Sequence, residues 1–158
     1  GWDDKWKYYS DWAQKGQAYK NELLFLVDED TNAFNKIIDG FRLPKSTEEE
    51  KTVRKQAIED ATKYATEIPF RVMETSYNSM EVMMSMAKDG LQNSLSDSGV
   101  GALCARTAVI GAYFNVRINA KDIKDRTFAE DILSRASDIY KKTVALEQEM
   151  IDLIDSKI

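Results

Sequence analysis

The chain has 158 residues, 43% hydrophobic and 31% charged, with a formal net charge of −5: one ordinary domain with a core large enough to fold without staples, and no concentrated basic patch for nucleic acid or a membrane surface. It has no histidine, which excludes the commonest proton shuttle, the usual metal ligand and every Ser–His or Cys–His nucleophile pair. The single cysteine, Cys104, forms no intramolecular disulfide and suits a reducing cytoplasm, and no apolar run reaches the ~18 residues of a membrane span.

Seven glycines and two prolines leave few turns, so the expected class is all-α, a bundle of long antiparallel helices. Trp2, Trp6, Tyr9 and Ala13 step at helical spacing, and the tryptophan density there marks a docking surface. The same spacing runs through Leu23, Val27, Asp30, Phe34, Ile37 and Phe41. It sets a carboxylate, Asp30, on a stripe expected to face the interior. Burial would raise the pKa of Asp30 and make it a proton acceptor or donor; an aspartate tying this helix to a neighbour accounts for the spacing equally well.

Gly40 and Leu43-Pro44 end that helix, and the run Ser46-Thr47-Glu48-Glu49-Glu50 opens the next with a capping box. Val53, Ala57, Ala61, Tyr64 and Ile68 carry its buried face to Pro69, which is expected to kink or split it. Val72, Met73, Tyr77, Met80, Met84 and Ala87 then continue to a cap at Gly90. The methionines between Met73 and Met86 read as irregular core filling rather than a site for a flat heterocycle, and the glutamates as a helix start rather than a metal site.

The stretch Ser96 to Asn119 is the centre of the chain. Ser96 and Asp97 sit at a helix start, where free amides attract an anion or a ligand carbonyl and where capping alone also explains them. Ser98, Gly101, Ala105, Ala108, Ala112, Asn115 and Asn119 share one small-residue face ending in two amides. Val100, Cys104, Thr107, Ile110, Phe114 and Ile118 lie beside it, so the helix is expected to be largely buried. Buried amides need partners: backbone carbonyls of a packed neighbour, or a ligand. Asp122 and Asp125 then cap a last helix, whose apolar side runs from Phe128 through Ile132, Ala136, Ile139, Thr143, Leu146, Met150 and Leu153 to Ile158.

Three segments together resemble the cyclodeaminase/cyclohydrolase family: Leu26-Val27-Asp28-Glu29-Asp30-Thr31-Asn32-Ala33-Phe34; Leu43-Pro44-Lys45 with Glu49-Glu50-Lys51; and Ser96-Asp97-Ser98-Gly99-Val100-Gly101 leading to Gly111-Ala112-Tyr113-Phe114-Asn115-Val116 and Ile118-Asn119. This family comprises the cyclodeaminase domain of formiminotransferase-cyclodeaminase and stand-alone methenyltetrahydrofolate cyclohydrolases. The resemblance implies an all-helical homodimer that binds a tetrahydrofolate derivative as substrate at or near the subunit interface, with no metal. By resemblance the proton-accepting aspartate falls on Asp30; from their positions, Ser96, Asp97, Asn115 and Asn119 are candidate substrate contacts. Residues 1–158 are expected to form one domain. Members usually open with a helix led by a Pro-Gly-Gly-Gly-Ser-like loop, which this sequence lacks, and the family's Gly-Asn is replaced here by Gly90-Leu91.

Overall fold

The computed structural model describes residues 3–158. A 3-10 turn (Asp3–Lys5) leads into α1 (Trp6–Arg42) and α2 (Glu48–Asp89); a second 3-10 turn (Gln92–Ser94) leads into α3 (Leu95–Ala120), and α4 (Arg126–Asp155) closes the fold. No strand occurs among the described residues. The architecture is all-α, as the turn-poor composition implies.

Local chemistry sets the boundaries. α1 stops ahead of Leu43-Pro44. The Thr47 hydroxyl then accepts from the Glu50 N–H at 3.1 Å, while the Glu50 carboxylate accepts from the backbone N–H groups of Ser46 and Thr47, a reciprocal cap. At the far end of α2 the Gly90 N–H reaches the Met86 carbonyl at 2.9 Å, and a Cβ on Gly90 would lie 2.5 Å from that oxygen; only glycine fits. Asp125 caps α4 through the Phe128 N–H at 3.1 Å. Its turn is pinned to α2 by Lys63 at 2.7 Å and by the Glu59 carboxylate, which accepts from the Lys124 and Asp125 N–H groups. The Lys63 hydrogen bond holds the Asp125 carboxyl below its usual range. Asp122, the other expected cap, is exposed and makes no such bond; its N–H closes a turn onto the Asn119 carbonyl at 3.2 Å.

α2 is the spine. α1, α3 and α4 all pack on it and α3 also packs on α4, whereas α1 packs on α2 alone. Leu26 and Ala33 of α1 meet Ala65 and Ile68. Phe70 and Met73 meet Val109, Ala112, Val116, Ile132 and Ala136, and Met80 and Met84 meet Ala102, Ala105 and Met150. Three of the methionines are therefore core, as expected, while Met83 and Met86 border a cleft. The apolar side of α4 is buried through Ile132, Ala136, Thr143 and Met150, but Ile158 is 87% exposed. α2 runs through Pro69 as one helix instead of splitting there.

Two faces read as interior are open. On α1, Val27 (64%), Phe34 (62%) and Phe41 are exposed, and so is Asp30, so the desolvation expected at Asp30 is absent. The buried column is instead Leu26, Ala33 and Gly40. On α3, Val100 (59%), Phe114 (53%) and Ile118 (60%) are exposed, with Leu103, Cys104 and Thr107 among them. The sides that pack are the small-residue sides, because a missing side chain lets helices approach closely: Gly40 admits Ile58, Gly99 admits Ile154 and Gly101 admits Met83, each within 3.1 to 3.2 Å of where a Cβ would stand. Arg106 and Tyr113 are half-buried against α4, with Tyr113 stacked on Tyr140 and Arg106 3.7 Å from Glu147. Trp2 lies outside the described residues; Trp6 is 70% exposed.

Contrary to the sequence expectation, Gln92–Ala120 is long and apolar enough, by length and composition, to cross a membrane, with a mean hydropathy of 1.2 in its most apolar window. Many of its apolar residues are alanine, glycine and valine, which raise hydropathy without forming one continuous long-chain run. In this fold it packs along one side on α2 and α4.

Candidate functional site

Because α1 and α3 both rest on α2 without touching each other, they leave a cleft with α2 as its floor. At one end it widens to about 750 Å³, walled by Trp6, Tyr9, Val82, Met83, Met86 and Leu91, with Asp97 and Ser98 at its edge. The walls are held by bonds between α1 and α2: Tyr8 to Ser85 at 2.7 Å, Tyr9 to the Asp89 carbonyl at 2.6 Å, and Lys15 to Glu81 at 2.7 Å. Tyr19 also donates to Glu81. Burial, reinforced by the Glu81 carboxylate, pushes the Tyr19 phenol up to about 12. Burial works against the charged form of Glu81, but its hydrogen bonds from Lys15 and Tyr19 prevail and hold it below the usual range.

Ser96 and Asp97 lie in the first turn of α3, both exposed. Neither caps the helix as expected: Ser94 holds the cap position, and no side chain there bonds to the backbone. Asp97 is an acceptor placed where the helix dipole favours negative charge.

Further along the cleft stand Asp30, Asn115 and Asn119. Ala13 lines the wide end, and Val27, Phe34 and Phe41 follow at multiples of seven, so they continue the same side of α1; Asp30 lies between Val27 and Phe34 on that side. On α3, Gly101 approaches Met83 at the cleft. Asn119 is five turns on and shares that side. Its amide Nδ2 donates to the Ala65 carbonyl at 2.8 Å, and Ala65 packs with Leu26 and Ala33, the residues that flank Asp30 by a turn on each side. Asp30 and Asn119 therefore stand at the same height on α2, on opposite walls. Asn119 has found the backbone partner that a buried amide needs, whereas Asn115 is exposed and reaches only its own helix's Gly111 carbonyl at 3.4 Å.

Sequence reasoning missed the neighbouring cluster on α1 and α2. Glu29 accepts from Tyr64 and, at 2.9 Å, from Asn32; Lys36 lies 3.8 Å from the Tyr64 ring centroid. The Tyr64 bond holds Glu29 below the usual carboxylate range, and the Glu29 bond raises Tyr64. The signal was the i, i+3 and i, i+7 spacing of Glu29, Asn32 and Lys36 on the opposite flank of α1 from Asp30.

The predicted contacts are thus not one cluster on a single chain. Asp97 and Asn119 ride the same rod, and at roughly 1.5 Å per residue they stand about 33 Å apart. One group supplies an apolar slot with an acceptor at its rim; the other supplies an exposed carboxylate on one wall, level with an amide tethered to α2 on the other. No group of three or more His, Cys, Asp or Glu that could hold a metal occurs among the described residues.

Residues 1–138 match the family model described as Formiminotransferase-cyclodeaminase. The chain is 30% identical over 145 residues to a methenyltetrahydrofolate cyclohydrolase of Methylorubrum extorquens, covering 92% of this chain and 70% of that protein. It is 36% identical over 125 residues to the formimidoyltransferase-cyclodeaminase of Rattus norvegicus, covering 79% of this chain but only 23% of that one. Its fold is shared with a formiminotetrahydrofolate cyclodeaminase from Thermotoga maritima, at a TM-score of 0.76 and 22% identity, across 89% of this chain and 66% of the other.

Proposed function

The chain belongs to the formiminotransferase-cyclodeaminase family, and we propose that it is a folate one-carbon enzyme that closes 5-formiminotetrahydrofolate to 5,10-methenyltetrahydrofolate with release of ammonia. N10 attacks the formimino carbon, forming the new C–N bond. Asp30 takes the N10 proton and returns it to the amino nitrogen as the old C–N bond breaks and ammonia departs. Asn115 and Asn119 orient the pterin, Ser96 and Asp97 accept from its amine donors, and no metal takes part. What supports this reading is the level of Asp30 on α1 and of Asn119 on α3, which register against the same stretch of α2 around Ala65 on opposite walls of the cleft.

A second reading has water attack the methenyl carbon at the same site to give 10-formyltetrahydrofolate. It is favoured by the Methylorubrum relative, of which this chain spans 70%. The purified protein is supplied with each folate in turn while the methenyl absorbance band is followed. Growth of the band with ammonia release supports cyclodeaminase action, and accelerated decay supports the hydrolase. Asp30→Asn, in a protein that keeps its fold, abolishes whichever is seen; retained turnover removes Asp30 from the chemistry.

The enzyme acts as a homodimer in this reading, without a nucleic-acid or membrane partner, and its exposed Cys104 thiol suits a reducing cytoplasm. Val100, Leu103, Thr107, Phe114 and Ile118 form an uncharged open stripe along α3, with Asp97 near one end and Arg117 and Lys121 near the other. Antiparallel pairing of two such helices opposes unlike charges, and it carries the Asp97 of one copy toward the Asn115 and Asn119 of the next. Mixing Asp30→Asn with Asp97→Ala chains then restores about a quarter of full activity, since half the dimers are mixed and each holds one intact site.

A further inference from the structure

Pro69 sits in the middle of the 42-residue α2, where proline carries a heavy penalty: it has no N–H for the carbonyl four residues back, and its ring presses on that carbonyl. The deprived carbonyl is that of Ala65. Ala65 is 7% exposed, so water cannot readily replace the missing donor, and a buried carbonyl without a partner is costly. The donor present is the Asn119 Nδ2, at 2.8 Å, from a residue 54 positions away on another helix.

This pairing also fixes which way the Asn119 amide faces. A carbonyl only accepts, so Nδ2 must be the atom turned to α2, and the oxygen Oδ1 is the branch turned away. Asn119 lies on the cleft side of α3, level with Asp30. We propose that Pro69 is a positioning residue for the folate site: by freeing the Ala65 carbonyl, it locks the Asn119 side chain so that Oδ1 is presented to the cleft as an acceptor. The ligand group it selects is an N–H donor, of the kind carried by the ring and amino group of a reduced pterin. The inference rests on the reading of Asn119 as a folate contact.

With alanine at this position the helix gains a backbone N–H and loses the ring clash, so the Ala65 carbonyl turns back into the helical ladder and Asn119 loses its tether. Three variants test this in the full chain: Pro69→Ala, Asn119→Ala and the double. KM and kcat for 5-formiminotetrahydrofolate are measured by growth of the methenyl absorbance band, unfolding midpoints in urea, and exchange of the Asn119 side-chain amide by NMR. Pro69→Ala is expected to unfold no earlier than the parent, yet to raise KM about tenfold with a smaller change in kcat and to speed Asn119 amide exchange. Asn119→Ala raises KM similarly, and the double no further. A merely structural proline gives the opposite pattern, with lower stability and unchanged KM.

The inference is overturned if Asn119→Ala raises KM and Pro69→Ala does not, or if Asn119 amide exchange is the same in Pro69→Ala as in the parent. Unchanged KM in Asn119→Ala refutes instead the reading of Asn119 as a folate contact. The exchange measurement reads the tether whether or not the protein turns over folate.

Discussion

Gly111→Ala reports on the open face of α3. Gly111 lies inside the helix, and nothing stands within 4 Å of where its Cβ would be. In the isolated chain the methyl meets only solvent, so the substitution yields the full helix-propensity difference, about 1 kcal/mol, worth roughly 2–4 °C in Tm for a domain of this size. Gly40→Ala is the control of opposite sign. Its new Cβ would stand 3.1 Å from the Ile58 Cγ1, with the Ile58 backbone nitrogen already in contact at 3.4 Å behind it, so the half-buried Ile58 side chain or the tight α1–α2 approach must give by a few tenths of an ångström.

Gly111 also falls near the middle of the stripe from Val100 to Ile118, where antiparallel copies would make their closest approach. Urea unfolding at low protein concentration should show Gly111→Ala above the parent and Gly40→Ala below it, while sedimentation shows Gly111→Ala dissociating at higher concentration. Loss of stability in the dissociated Gly111→Ala chain would refute the open-face geometry. Unchanged dimerisation would move the interface off α3.

Three further outcomes follow from the hydrogen bonds. Asn119→Ala should cost about 1–3 kcal/mol of stability by orphaning the Ala65 carbonyl, whereas Asn115→Ala stays within about 0.5 kcal/mol; equal losses in urea unfolding would contradict the different partners seen. The Tyr19 phenol, raised from 10.0 to about 12, favours the folded state while it is protonated. Its contribution is complete below the unfolded pKa and disappears as pH climbs from 10 to about 12, so Tyr19→Phe should remove the latest step of the phenolate absorbance titration and flatten that alkaline limb. Asp125, held low first by Lys63 and then by the Phe128 N–H, contributes above the unfolded carboxylate range and loses that contribution as pH falls through its folded value. Asp125→Ala should therefore be less stable than the parent at neutral pH, and the two should converge in acid.

Helices and their ends were legible because caps are local chemistry. Thr47 with Glu50, Asp125 before Phe128, and Pro44 after Arg42 each act within a turn of their own residue, and the structure places them as expected. What the residue pattern could not convey was sidedness. On α1 the apolar spacing through Val27, Phe34 and Phe41 is regular, yet Leu26, Ala33 and Gly40 face α2. Alanine and glycine contribute little to a hydrophobic pattern, but they set how near two helices come, and dispersion contacts reward nearness. Pro69 was read as a kink or a split because its remedy, Asn119, is 50 positions further along the sequence; a local rule cannot register a donor brought in by tertiary packing.

Of the candidate site, a backbone partner for Asn119 was anticipated as one of two alternatives and is present in the Ala65 carbonyl, while Asp30 was chosen on a premise of burial that the single chain does not meet. The error has a direction. The large residues wrongly assigned to the interior lie together on the outer sides of α1 and α3, bordering the cleft rather than scattered over the surface. Isolated apolar side chains on a surface need no explanation, but aligned ones of this size expose a face that water disfavours. Periodicity registers that a face is apolar and is silent on what covers it, so a surface made to be covered from outside reads the same as core. Asp30 shares that side of α1 with Val27 and Phe34 and is exposed along with them, so its spacing registers the apolar face and not burial in the single chain.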